Sequence, residues 1–187
     1  MRIIAIIPAR GGSKRLPKKN IYLLKGKPLI AYSIEACKRS KYINEIYVSS
    51  DDKEILATAE KFGAIVLNRP TQLADDLTPK MEVIRDAAKS KQILDAGKPD
   101  IIIVPQANSP QLKAEDIDKG FDLMFQHDLW EVMSADENGV QNAAFRIIRT
   151  EHINNTFLSA HCGFVIAPNI DVHTIEDIKK LEKQGLQ

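Results

Sequence analysis

No acidic residue precedes Glu35, no apolar stretch reaches the length of a membrane span, and only two of the 187 residues are cysteines. Each shortage excludes something. Cys37 and Cys162 lie far apart and form neither a zinc motif nor a disulfide framework, which fits a reducing compartment. His161, Cys162 and His173 match no zinc spacing. Without a span-length apolar run no membrane helix is expected. Ile3 to Ile7 runs straight into a charged loop rather than a cleavage site, so a cytoplasmic protein is expected. Two general phosphate-binding signatures are also missing. Gly11-Gly12-Ser13-Lys14 lacks both the spacing of a P-loop and the three spaced glycines of a dinucleotide fingerprint.

The missing early acids give the first stretch its character. Arg2, Arg10, Lys14, Arg15, Lys18, Lys19, Lys25 and Lys27 all precede Glu35, leaving 18 basic residues against all 25 acidic ones in the rest of the chain. With a net charge of only +1, this local basicity points to a small, highly charged anion rather than to nucleic acid. Ile3-Ile4-Ala5-Ile6-Ile7 reads as a strand buried on both faces, and it delivers Pro8-Ala9-Arg10-Gly11-Gly12-Ser13-Lys14 as a loop. Glycines let backbone approach a phosphate, and Arg and Lys supply the countercharge. A solvated basic loop is the alternative, but α/β folds place ligands where this loop stands, at the carboxyl ends of strands.

Strand and helix alternate through the next hundred residues. Pro28 is expected to open a helix whose face carries Leu29, Ile30, Ser33, Ile34 and Cys37. Glu45 to Ser50 reads as a strand, Asp51 as the cap of a helix ending at Gly63, and Ala64 to Leu67 as a third strand. One long helix is expected from Pro79 to just before Gly97, and then a central strand from Asp100 to Val104. A helix from Ala114 follows, then strands at Glu131 to Ala135, Phe145 to Arg149 and Gly163 to Ile166. Thr174 and Asp177 form a capping-box pattern before a last helix. The alternation predicts a doubly wound, Rossmann-like α/β/α sandwich with a mostly parallel sheet. The length suits a single domain over residues 1–187.

Ile-Pro-Ala-Arg-Gly-Gly-Ser-Lys, followed by Leu16-Pro17-Lys18-Lys19-Asn20 and Gly26-Lys27-Pro28-Leu29-Ile30, resembles the acylneuraminate (sialic acid) cytidylyltransferase family, part of the wider sugar nucleotidyltransferase group. The resemblance implies a CMP-sugar synthetase. A hydroxyl of an acidic sugar would attack the α-phosphate of CTP and release pyrophosphate, with Mg²⁺ as cofactor and a homodimer as the assembly. It implies catalytic roles for Arg10 and Lys19 on the triphosphate, and nucleotide contacts from Ala9, Gly11, Gly12, Ser13, Lys14 and Asn20. Arg69-Pro70 and Leu73-Ala74-Asp75-Asp76 match the family segment that sets an arginine near the base. Gln106, Ser109 and Pro110 match the segment that helps hold the sugar, while the residues alone leave a loop cap open for Gln106 and Ser109.

The chain departs from the family at several points. Pro79 and Lys80 replace small hydroxyl residues, and Leu112 replaces an arginine. The region after Asn142 is shorter than the family segment that completes the sugar site and embraces a partner. Asp171 keeps the first position of the family's metal-binding pair and His173 replaces the second, although Mg²⁺ prefers hard oxygen ligands. These departures keep open another sugar or nucleobase, or a non-catalytic nucleotide-binding homologue.

Overall fold

The computed structural model describes residues 1–156 and 159–184. In chain order it runs β1 (Ile3–Pro8), β2 (Leu23–Leu24), β3 (Lys27–Pro28), α1 (Leu29–Arg39), β4 (Glu45–Ser50), α2 (Lys53–Lys61) and β5 (Ile65–Asn68). Then follow α3 (Lys80–Ala88), α4 (Lys91–Leu94), β6 (Ile101–Pro105), α5 (Ala114–Gln126), β7 (Glu131–Ala135), β8 (Gln141–Arg149), β9 (Cys162–Ile166) and α6 (Ile175–Gln184). Seven strands form one sheet in the order β5-β4-β1-β6-β8-β7-β9, parallel except for β8. This is the expected Rossmann-like α/β arrangement.

The uninterrupted apolar run of β1 follows from burial on both sides. Ile3, Ala5 and Ile7 pack among side chains of α1, α2 and α5, while Ile4 and Ile6 pack against Ile84 and Ala87 of α3 on the opposite face. Each fully buried aliphatic side chain of this kind stabilises the fold by about 1.5–3 kcal/mol. A third cluster brings Leu16, Leu24 and Leu29 together with Val172, Ile178 and Leu181. It docks the amphipathic α6 on the β2–β3 hairpin and so carries residues 171–177 to the basic loop.

Three expectations change in detail. Pro28 is extended, with φ −58° and ψ 140°, and pairs with Leu23 before the helix begins at Leu29. The long helix breaks at Ser90, which is extended (ψ 141°), and the short α4 then sends Ile93 into the cluster with Ile102 and Ile153. Burial of one isoleucine on the sheet thus outweighs helix continuity. β8 is longer than expected and runs antiparallel, because the Asp136–Gly139 turn, with Gly139 at φ +76°, folds it back on β7 as a hairpin.

Candidate active site

The basic loop is tied down before it meets any ligand. Ala9 donates its N–H to the Ser49 carbonyl (2.9 Å), and the Gly11 N–H donates to Asp51 Oδ1 (3.0 Å). Asp52, not Asp51, caps α2, accepting from the N–H groups of Glu54 (2.7 Å) and Ile55 (3.2 Å). That division of labour explains Gly11. A Cβ there would stand 2.7 Å from Asp52 Oδ2 and 2.8 Å from Asp52 Cβ, so only glycine fits against the helix cap. Gly12 faces open space. The Ser13 N–H turns back to the Gly11 carbonyl at 2.8 Å. The expected backbone cradle is therefore not formed as such, since two of its three N–H groups have protein acceptors. The buried Asn20 donates from Nδ2 to the Arg10 carbonyl (2.9 Å) and fixes the far side of the loop.

Above this loop opens a cleft of about 490 Å³. Arg10, Lys14, Arg15, Lys19, Arg69 and Lys80 line it together with Gln106 and Asn108, and the exposed Asp75 and Asp76 stand at its rim. Burial holds the Lys19 amine below the ordinary lysine value, and Arg15 and Arg10 push it further down. Asp76 spans Arg10 and Lys14, one carboxylate oxygen on each, and these contacts hold its carboxyl below the usual range. Arg69 is not the solvated loop residue that its sequence context alone suggests. It is 8% exposed, with Nη2 on the Ser49 carbonyl at 2.7 Å, and burial lowers its pKa.

Ser109 and Asp171 lie just outside this lining. Asp171 Oδ1 accepts from Ser109 Oγ and from Asn169 Nδ2 (2.9 Å). Asn108 secures the segment on both sides, donating from Nδ2 to the Val172 carbonyl (2.8 Å) and accepting from the Val172 N–H (2.9 Å). His173 lines the cleft with Nδ1 3.5 Å from Arg15 Nη2, and burial, then Lys19 and Arg15, lowers its pKa. Among the described residues no three His, Cys, Asp or Glu side chains gather as a metal site. Asp171 fits a hard cation through one carboxylate, with phosphate and water as the other ligands. His173 does not fit a ligand role, because its nearer ring nitrogen faces a guanidinium.

Comparison with known proteins identifies the architecture. A cytidylyltransferase family model matches residues 4–155. The chain belongs to the cytidylyltransferase family. It is 46% identical over 93 residues to a pseudaminic acid cytidylyltransferase of Campylobacter jejuni, covering 49% of this chain and 40% of that protein. It is 44% identical over 118 residues to a CMP-N,N'-diacetyllegionaminic acid synthase of Legionella pneumophila, covering 63% and 50%. The chain thus spans half or less of the length of these two relatives. A solved CMP:2-keto-3-deoxy-manno-octonic acid synthetase in complex with CTP superposes with a TM-score of 0.78 over 98% of both chains at 15% identity, which shows a shared fold.

In this family member the structure gathers Arg10, Ser13, Lys14, Lys19, Asn20, Arg69, Gln106 and His173 around one cleft. Ala9, Gly11, Gly12, Ser109 and Asp171 are not among its lining residues; Ala9, Gly11, Ser109 and Asp171 are instead held by hydrogen bonds beside it, and Gly12 faces open space. Leu112, at the family's arginine position, is 5% exposed in the core and brings no charge to the site. Sequence reasoning missed Lys80, Asn108 and Asp76. Lys80 had a signal, a cation in place of a hydroxyl residue, and Asp76 stood in the segment that matches the family, but its pairing with Arg10 and Lys14 and the bonding of Asn108 to Val172 had none, because those partners are 62 to 66 positions away.

Proposed function

We propose that this chain forms the nucleotide-binding and catalytic body of a CMP-sugar synthetase acting on CTP and an acidic sugar. The observation that carries the reading is the convergence of Arg10, Lys14, Arg15 and Lys19 on one cleft that the buried Arg69 also lines. Four cations suit a triphosphate, and the fixed guanidinium suits a base. A sugar hydroxyl oxygen would bond to the α-phosphorus as the bond from that phosphorus to the bridging oxygen breaks, and pyrophosphate carries away the negative charge. The hydroxyl proton leaves to solvent. The residues of this chain orient the phosphates and neutralise charge on the leaving group, which is what such a displacement needs. Asp171 would hold Mg²⁺, whose contribution when bound is further neutralisation of phosphate charge.

A second reading, a nucleotide-binding protein without turnover, is favoured by His173 facing Arg15 where the family carries a second carboxylate. Calorimetric titration with CTP, GTP, UTP and ATP, each with and without Mg²⁺, separates the possibilities. Selective CTP binding followed by pyrophosphate release with an acidic sugar supports the synthetase. Preference for another nucleotide changes the substrate, and binding without release from any sugar supports the second reading.

A further inference from the structure

The loop after β6 and the segment before α6 are fastened together on both sides of Asp171. On one side Asn108 exchanges two hydrogen bonds with the backbone of Val172. On the other, the Gln111 N–H donates to Asn169 Oδ1 (3.2 Å) and Gln111 Oε1 accepts from the Ile170 N–H (3.0 Å). Both segments are anchored in turn. The Gln106 carbonyl accepts from the buried Ser33 hydroxyl of α1 (2.5 Å), and the Val172 side chain is buried with Leu16, Leu24 and Leu29. Within this frame Asp171 Oδ1 accepts from the fully buried Ser109 hydroxyl and from Asn169 Nδ2 (2.9 Å), whereas Oδ2 has no hydrogen bond or ion pair among the described residues. Burial and two arginines lower the Lys19 amine and Asp171 opposes them, which sets the carboxylate beside the cleft that Lys19 lines.

A carboxylate oxygen has room for about two donors, and at Oδ1 both places are taken. Because the two donors belong to different segments, they fix the orientation of the side chain and leave Oδ2 as the one oxygen it can offer. Coordination through one oxygen suits Mg²⁺, which keeps an octahedron of waters and phosphate oxygens, whereas Ca²⁺ takes more ligands and accepts a carboxylate through both oxygens. We propose that Ser109 and Asn169 are positioning residues that restrict Asp171 to one-oxygen coordination and so select Mg²⁺ over Ca²⁺ in the nucleotide complex. The proposal rests on the Mg²⁺ role given to Asp171 above. It has Ser109 act through Asp171 rather than on the sugar, since its buried hydroxyl is already donated.

The test uses the full chain and its Ser109→Ala, Asn169→Ala and Asp171→Asn variants. Ser109→Ala removes a single oxygen atom and Asn169→Ala trims a half-buried side chain, so both should fold, which thermal melts check. CTP is titrated calorimetrically into each protein with a chelator, with saturating Mg²⁺ and with saturating Ca²⁺, and no sugar is present, so the readout is binding rather than turnover. In wild type, Mg²⁺ should strengthen CTP binding at least about tenfold more than Ca²⁺ does. In Ser109→Ala and Asn169→Ala that preference should fall at least about fivefold, while metal-free CTP affinity stays within about twofold of wild type. Asp171→Asn should lose the gain from Mg²⁺. An unchanged preference in both alanine variants, or equal gains from the two cations in wild type, would overturn the proposal and leave Asp171 as the Mg²⁺ residue. A matching loss of metal-free CTP affinity would make Ser109 a support of the whole cleft and overturn it too. A Mg²⁺ gain that is missing in wild type, or that survives Asp171→Asn, would remove the metal role on which the proposal depends but not the nucleotide reading. Absence of CTP binding under every condition would remove both.

Discussion

Asp76 is ion-paired with Arg10 at the rim of the cleft, and its other oxygen holds Lys14. This carboxylate stands on two of the cations that the proposed function gives to the triphosphate, so on that reading it competes with nucleotide for them. Arg10 also donates to the Asp75 carbonyl (3.1 Å), and Asp75 in turn accepts from the Thr78 and Leu77 N–H groups, which stiffens the rim. Asp76→Asn should therefore tighten CTP binding by roughly two- to fivefold, a modest gain because the pair is partly open to water. Calorimetry at low and high salt checks it, and a weakened affinity in the variant would mean that Asp76 assists binding.

Lys19 sits among cations with no protein acceptor for its amine among the described residues. Lys19→Ala should weaken triphosphate binding roughly ten- to hundredfold with little change in the melting temperature. The pH dependence has a definite sign. Burial and the neighbouring arginines disfavour the charged amine in the fold, so this destabilising contribution is full below the folded-state pKa and is relieved as the pH rises through it. A bound triphosphate reverses the preference. CTP affinity should therefore hold below the free-state pKa and fall as the pH rises through it, earlier than an ordinary lysine at 10.5 would require. Titrations across alkaline pH on wild type and Lys19→Arg distinguish this group from its neighbours.

The two adjacent glycines should behave differently. Gly11→Ala forces a Cβ against Asp52, the residue that caps α2, and should cost about 1–3 kcal/mol in denaturant melts. Gly12→Ala meets nothing within 4 Å and should leave stability nearly unchanged. Equal costs at the two positions would show that the contact with Asp52 does not decide the first.

Asp177 accepts from the N–H groups of His173 and Thr174, both at 2.8 Å, while its own N–H reaches Thr174 Oγ1 at 3.4 Å. Asp177→Ala should cost about 0.5–2 kcal/mol and loosen the segment carrying His173. Burial alone would raise the Asp177 carboxyl, but those hydrogen bonds outweigh it and hold it below the usual range. Its stabilising contribution is thus present above the ordinary value of 3.8 and is lost as the pH falls through the lower folded value. Acid melts of wild type and Asp177→Ala should converge at low pH.

Much of the architecture was legible because its signals are local. The boundaries of β4 and β7 follow from apolar runs bounded by polar turns, and the capping box at Thr174 and Asp177 depends on a three-residue spacing. The break at Ser90 was not legible, since it depends on the distant Ile102 and Ile153. The exchange of roles between Asp51 and Asp52 was equally hidden. Both are able caps in sequence, and only the approach of Gly11 selects Asp52 for the helix and Asp51 for the loop.

The sequence by itself determined that a doubly buried strand ends in a glycine-bearing cationic loop, and it carried the family resemblance, because strand burial and loop charge are written in consecutive residues. Tertiary structure decided what faces that loop. Asp76, Arg69 and His173 come from segments 59 to 163 positions away from Arg10, and docking of α6 through Val172 and Leu181 sets the last of them in place. Only folding joins Lys80 of α3 to Arg146 of β8 across a shared cavity. Charge in a sequence states how many cations there are, whereas the fold decides which remain unpaired.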